Sequence, residues 1–191
     1  MISTFTVIFD ANVLYGQRIR SLLMELAMSG LFRARWSADI HREWMEAVAR
    51  KVGVEMAQLE ATRRSMDGAV PDALVMGYED LIPALTLPDP DDRHVLAAAI
   101  RCGASAIITF NAKDFPQAEL AKYGVHTRNP DDFIRDVDGL NPGVVVEAAR
   151  ADRLHYRNPP LSIDEYIEGI KTAGLPMVAW RLNKVRVLLE E

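Results

Sequence analysis

The chain has a single cysteine, Cys102, in 191 residues. An intrachain disulfide and a cysteine-caged zinc site are therefore both excluded, and Cys102, set in an apolar helical run, reads as a small core residue. A basic excess is missing too: 22 Lys and Arg stand against 27 Asp and Glu, a formal charge of -5. Such a chain is no nonspecific coater of nucleic acid, because neutralising phosphates takes a basic surface. It can still bind nucleic acid locally if its acids are gathered around a cation. No apolar run nears the ~20 residues of a membrane-crossing helix, and no basic stretch leading into an apolar one opens the chain. These absences lead to the expectation of a cytoplasmic protein with no membrane contact and no signal peptide. Repeats and low-complexity tracts are absent. What is present is 49% hydrophobic residues, enough to build a core, in a length that suits one domain or one domain with an appendage.

Residues 4 to 9 read as a buried strand ending on Asp10. Gln17 to Ser29 predict a helix, with Ile19, Leu22, Leu23 and Leu26 on one stripe and Gly30 as a stop. A short strand is expected over Leu31 to Trp36. Ser37 then caps a helix running to about Lys51, with Asp39 in its first turn. A further helix covers Val54 to Met66, and Ala73 to Met76 suit a short strand. Pro90 suits the first turn of a helix that Gly103 ends. A buried strand follows over Ser105 to Phe110. A short helix at Gln117 to Tyr123, a strand at Val125 to Thr127 and a helix opening at Asn129-Pro130 complete the alternation. Strands alternating with helices predict an α/β fold with a mainly parallel sheet. From Asn141 onward the pattern is helical only, with a capping-box spacing at Ser162 and Glu165. The expected division is a core over 1–138 and a helical extension over 139–191.

In parallel α/β sheets, ligands bind outside the carboxyl ends of the strands. Asp10 and Asn12 stand at one such end, and Asn111, with Asp114 three residues on, stands at another. Read singly, each is an ordinary turn or cap residue. Glu43 falls at the edge of the stripe formed by Ile40, Trp44, Ala47 and Val48. A carboxylate there needs a partner, either a metal or a cation such as Arg42 or Arg50. Asp92 lies in the first turn of its helix, where the helix dipole alone would favour an acid; Asp89 and Asp91 could fill that role instead. Taken together, these groups suggest an acidic pocket. Clustered carboxylates repel unless cations lie between them, and hard oxygen donors without a His or Cys cluster suit Mg²⁺ or Mn²⁺. His41 and His94 lack partners at metal-ligand spacing and read as structural.

Three segments carry a resemblance: Phe9-Asp10-Ala11-Asn12-Val13-Leu14; Asp91-Asp92-Arg93-His94-Val95-Leu96-Ala97-Ala98-Ala99; and Ile107-Ile108-Thr109-Phe110-Asn111-Ala112-Lys113-Asp114-Phe115-Pro116. In order and spacing, over roughly residues 5 to 137, the chain resembles the PIN domain. The resemblance implies a three-layer α/β/α fold and a metal-dependent ribonuclease acting on single-stranded RNA. It further implies a VapC-type toxin paired with an antitoxin protein, a homodimer, and a larger subgroup with a helical C-terminal extension. By the same resemblance, Asp10, Glu43 and Asp92 would be the catalytic acids and hold Mg²⁺ or Mn²⁺. Asn111 stands where the family has a fourth acid, so Asp114 or a water would have to substitute, or a second metal would bind weakly. Asn12 would orient the attacking water or the Asp10 carboxylate, Thr109 would do the same near Asn111, and Arg18 and Arg20, or Arg63 and Arg64, would meet RNA phosphates. Two other readings remain open. One is a PIN-like module that binds RNA or protein without cutting. The other is a haloacid-dehalogenase-like phosphatase using Asp10, although its second Asp is replaced by Asn12. The apolar stripes of the tail either pack on the core or offer a groove to an antitoxin helix.

Overall fold

The computed structural model describes residues 5–190; Thr4, where the first expected strand begins, lies outside them. Five parallel strands form one sheet in the order β3-β2-β1-β4-β5: β1 (Thr6–Phe9), β2 (Arg33–Ser37), β3 (Leu74–Val75), β4 (Ala106–Ile108) and β5 (His126–Arg128). β1 and β4 are buried along their whole length, as continuous apolar strands in a helix-covered parallel sheet must be. The strand order reverses beside β1, so β1 and β4 form a topological switch point, the place where ligands bind in sheets of this kind.

The helices cover the sheet in three α/β/α layers. They are α1 (Ala11–Tyr15), α2 (Gln17–Met28), α3 (Ala38–Val52), α4 (Met56–Ala69), α5 (Arg93–Cys102), α6 (Gln117–Leu120), α7 (Pro130–Leu140), α8 (Pro142–His155), α9 (Ile163–Thr172) and α10 (Pro176–Lys184). Ser37 caps α3 by accepting from the Ile40 amide, and α5 stops at Gly103 in the left-handed region. α5 lies across β1, β2, β3 and β4. Phe133 of α7 meets Phe9 and Phe32 edge-on, and Phe9 also stacks on Trp36. β4 ends two residues earlier than its apolar run suggests, and Phe110 is partly exposed. Its amide is taken by the Asn12 side chain instead of a neighbouring strand.

The tail packs on the core: α8 lies on α2 and α7, α9 on α2, and α10 on α7 and α9. The Asp131 carboxylate of α7 accepts the Met177 and Val178 amides, capping α10. The capping box of α9 is present, with Ser162 and Glu165 bonded reciprocally. Asp152, fully buried, accepts from Ser21 of α2 and from the Tyr166 hydroxyl at 2.7 Å. Among the described residues no helix is long and apolar enough to cross a membrane.

Candidate active site

Asp10 sits where β1 gives way to α1. Its Oδ2 accepts from Asn12 Nδ2 at 2.5 Å and from Thr109 Oγ1 at 2.7 Å. Asn12 Nδ2 also donates to Thr109 Oγ1 at 2.8 Å, and Asn12 Oδ1 accepts the Phe110 amide at 3.1 Å. That last bond fixes which way the amide faces. The Thr109 hydroxyl donates once and accepts twice, the second time from the Asn111 amide at 2.9 Å, so its capacity is filled. This mesh joins the carboxyl ends of β1 and β4 and locks the Asp10 carboxylate in one orientation. Asp10 is 5% exposed, and burial pushes its pKa up to about 6. The Thr109 hydroxyl and the Ala11 amide pull the other way, while the Glu43 charge adds to the rise.

Asp92 closes a single 3₁₀ turn (Pro90–Asp92) and leads into α5, with its side chain making no capping bond. Asp89 performs the local capping, accepting from the Asp91 amide at 2.9 Å. Asp92 is thus left free to face the site. Burial, then the charges of Asp10, Asp89, Asp114 and Glu43, push its pKa up to about 7. Asp114 is held in this group by Asn111, whose amide donates to its carboxylate. The amide at the position where an acid was expected therefore tethers a neighbouring acid.

Glu43 has a partner that the sequence did not reveal. Its Oε1 meets His94 Nε2 at 2.7 Å, joining α3 to α5, while Arg42 turns away to Asp39. Burial lowers the His94 pKa, but the Glu43 bond and charge outweigh it and leave the imidazole above its ordinary value. His41 is structural: Trp44 Nε1 donates to its Nδ1 at 2.9 Å, which leaves the proton on Nε2 to face Asp67 at 3.1 Å.

Arg18 and Arg20, the expected RNA contacts, rest on partners within the chain. Arg18 lies 4.4 Å over the Tyr156 ring at the seam between core and tail. Arg20 donates to the Leu14 and Tyr15 carbonyls and covers the Trp44 ring at 4.5 Å. Both guanidiniums are drawn inward because each finds an aromatic face and α1 leaves carbonyls unpaired at its end. Of the other candidate pair, Arg63 and Arg64, Arg63 is bound to Glu60 and Asp67 along α4.

Among the described residues no three His, Cys, Asp or Glu side chains are already drawn together at metal-holding distance. Asp10, Asp92 and Glu43 nevertheless face one another closely enough for each carboxylate's charge to act on the next. Carboxylate oxygens without thiolates suit a hard divalent cation, and its charge would offset both the burial and the repulsion that raise Asp92. The donor set therefore fits such an ion.

Without a cation, the raised Asp92 pKa has a signed consequence. Between the ordinary carboxylate value of 3.8 and about 7, the folded chain holds a proton that the unfolded chain has released. Stability then falls as pH rises through that window. In chelator, the melting temperature is expected to drop by a few degrees from about pH 5 to pH 8. Asp92→Asn should reduce this slope and leave the smaller part that the raised Asp10 contributes, as differential scanning fluorimetry would show.

Residues 6–113, more than half of the chain, match the family model described as PIN domain, and residues 130–184 match one described as VapC50 C-terminal domain. The chain is 47% identical over 64 residues to a protein named "Putative ribonuclease VapC50" from Mycobacterium tuberculosis (strain ATCC 25618 / H37Rv). That stretch covers 34% of this chain and 37% of the relative, so little more than a third of the relative's length is spanned. No solved structure matches the chain.

Proposed function

Since the chain belongs to the PIN-domain family, we propose that it is a metal-dependent endoribonuclease that hydrolyses single-stranded RNA at the crevice between β1 and β4. The observation carrying this reading is the hydrogen-bonded mesh that fixes the buried Asp10 carboxylate where the ends of β1 and β4 meet, with Asp92 near enough to feel its charge. Asp10, Asp92 and Glu43 would hold Mg²⁺ or Mn²⁺. When bound, such an ion supplies positive charge to a phosphodiester and to an attacking water.

The chain's own residues do the rest. Asn12 and Thr109 keep Asp10 Oδ2 occupied and its carboxylate plane fixed. His94 holds Glu43 against α5 and shares a proton with its Oε1. Asn111 keeps the Asp114 carboxylate at the rim. Outer partners of this kind are worth about 10–100-fold in metal affinity or activity. Thr109→Val is therefore expected to lower RNA cleavage by about that factor while leaving the circular dichroism spectrum unchanged. Thr109→Ser should restore most of the activity.

The match of residues 130–184 to the VapC50 C-terminal domain supports placing the chain among VapC-type toxins. A cognate antitoxin partner, a homodimer and a cytoplasmic location belong to that same reading. Coexpression with the product of the adjoining reading frame, if it relieves growth arrest, tests it. Asn111 and the Glu43–His94 pair favour one competitor, a PIN-like module that binds without cutting. Calorimetry with Mn²⁺ separates the two: measurable affinity that Asp92→Asn removes supports the nuclease, and its absence in the parent supports the silent module.

A further inference from the structure

α1 and α3 pack against each other, and two rows of side chains at helical spacing face across the contact: Ala11 with Tyr15, and Glu43 with Ala47 and Lys51. The two alanines leave a cavity of about 290 Å³ that starts at Asn12 and Glu43 and ends at Tyr15 and Lys51. This is near the small end of the roughly 300–1,000 Å³ range of ligand pockets. Its floor is rigid. Trp44 is fully buried, its indole N–H is bonded to His41, and Arg20 covers its ring. The far end is adjustable. Lys51 is exposed, and its Nζ rests 5.5 Å over the Tyr15 ring, a loose contact that a flexible side chain can leave at small cost.

The groove thus runs from Glu43 and Asn12 of the candidate site to a cation beside an aromatic ring. A single strand of nucleic acid has matching chemistry, an unpaired base to lay on a ring and a phosphate to meet a cation. We propose that this groove is the subsite for one unpaired nucleotide next to the scissile phosphate, its base against Tyr15 above Ala47 and its outer phosphate on Lys51. This rests on the nuclease reading and adds to it the residues that select single-stranded substrate.

The test uses the full chain and a fluorescein-labelled single-stranded oligoribonucleotide, with binding measured by polarisation in chelator and cleavage measured with Mn²⁺. Ala47→Leu, which fills the groove, and Tyr15→Leu are each expected to weaken binding and raise KM by about tenfold, with kcat within about twofold of the parent. Tyr15→Phe should behave as the parent. Lys51→Ala, at an exposed position that leaves the fold intact, should weaken binding and reduce the slope of log affinity against log salt by about 0.7, the value for one single-strand phosphate. If the parent cleaves RNA and all these variants keep its KM and salt slope, the subsite is overturned while the nuclease reading stands. If the parent binds and cleaves no RNA, and so is indistinguishable from Asp10→Asn, both fall together.

Discussion

Asp10→Asn is expected to reduce RNA cleavage by about a thousandfold or more while leaving the fold intact. The carboxylate is the most buried of the candidate acids, and it is aimed by two hydrogen bonds to one oxygen. An amide oxygen can still accept from Thr109 and Asn12, so the mesh between β1 and β4 survives the exchange. What disappears is the negative charge, and with it the attraction for a divalent ion and the stabilisation of charge developing on the phosphate. The same exchange removes a buried charge that the fold holds at a cost, as the rise of Asp10 to about 6 records. In chelator near pH 8, the variant should therefore melt at or above the parent temperature. Lost activity together with undiminished stability separates a catalytic role from a structural one; a variant that melts well below the parent would point to the structural role.

Tyr166→Ala should give the largest loss of stability, about 3–5 kcal/mol, or roughly 10 °C in melting temperature. The ring is fully buried beneath the tail, where Arg18 of α2 also lies against it. Its hydroxyl satisfies Asp152, which has no solvent to turn to. Truncation would open a cavity and leave Asp152 Oδ2 unpartnered, with only the Ser21 bond to Oδ1 remaining. Tyr166→Phe, which removes one of the two bonds to the carboxylate but keeps the packing, should cost about 1–3 kcal/mol. Urea unfolding followed by tryptophan fluorescence distinguishes the two. A single transition is expected, because α7 carries Phe133 into the sheet core and Asp131 onto the start of α10. Loss of the tail alone, with the core transition unmoved, would show that residues 139–191 are a separate unit.

Local signals in the sequence were reliable guides to these elements. The apolar run ending on Asp10, the Ser37 cap, the Gly103 stop and the Ser162–Glu165 box depend on neighbours within a few residues, and each forms as expected. The acids at strand and helix ends were legible for the same reason, because topology dictates where strand ends lie. Long-range pairing was not legible. Glu43 chose His94 rather than Arg42 or Arg50 because α3 and α5 meet in three dimensions, and no spacing along the chain announces that meeting. The aromatic partners of Arg18 and Arg20, Tyr156 and Trp44, were not legible either, because they are distant in the sequence. Strand β4 stopped short of Phe110 because a side chain, Asn12, outcompeted the ladder for its amide.

Under the proposed function, Asp10, Asp92 and Glu43 form one divalent-cation site. Anomalous diffraction from crystals soaked in Mn²⁺ tests it most directly. The expected result is a peak about 2.0–2.2 Å from carboxylate oxygens of Asp10 and Asp92, with Glu43 contributing directly or through a water, and no peak in Asp92→Asn crystals soaked in the same way. Clean density between those carboxylates without a peak, in a protein that still cleaves RNA in the same buffer, would contradict it.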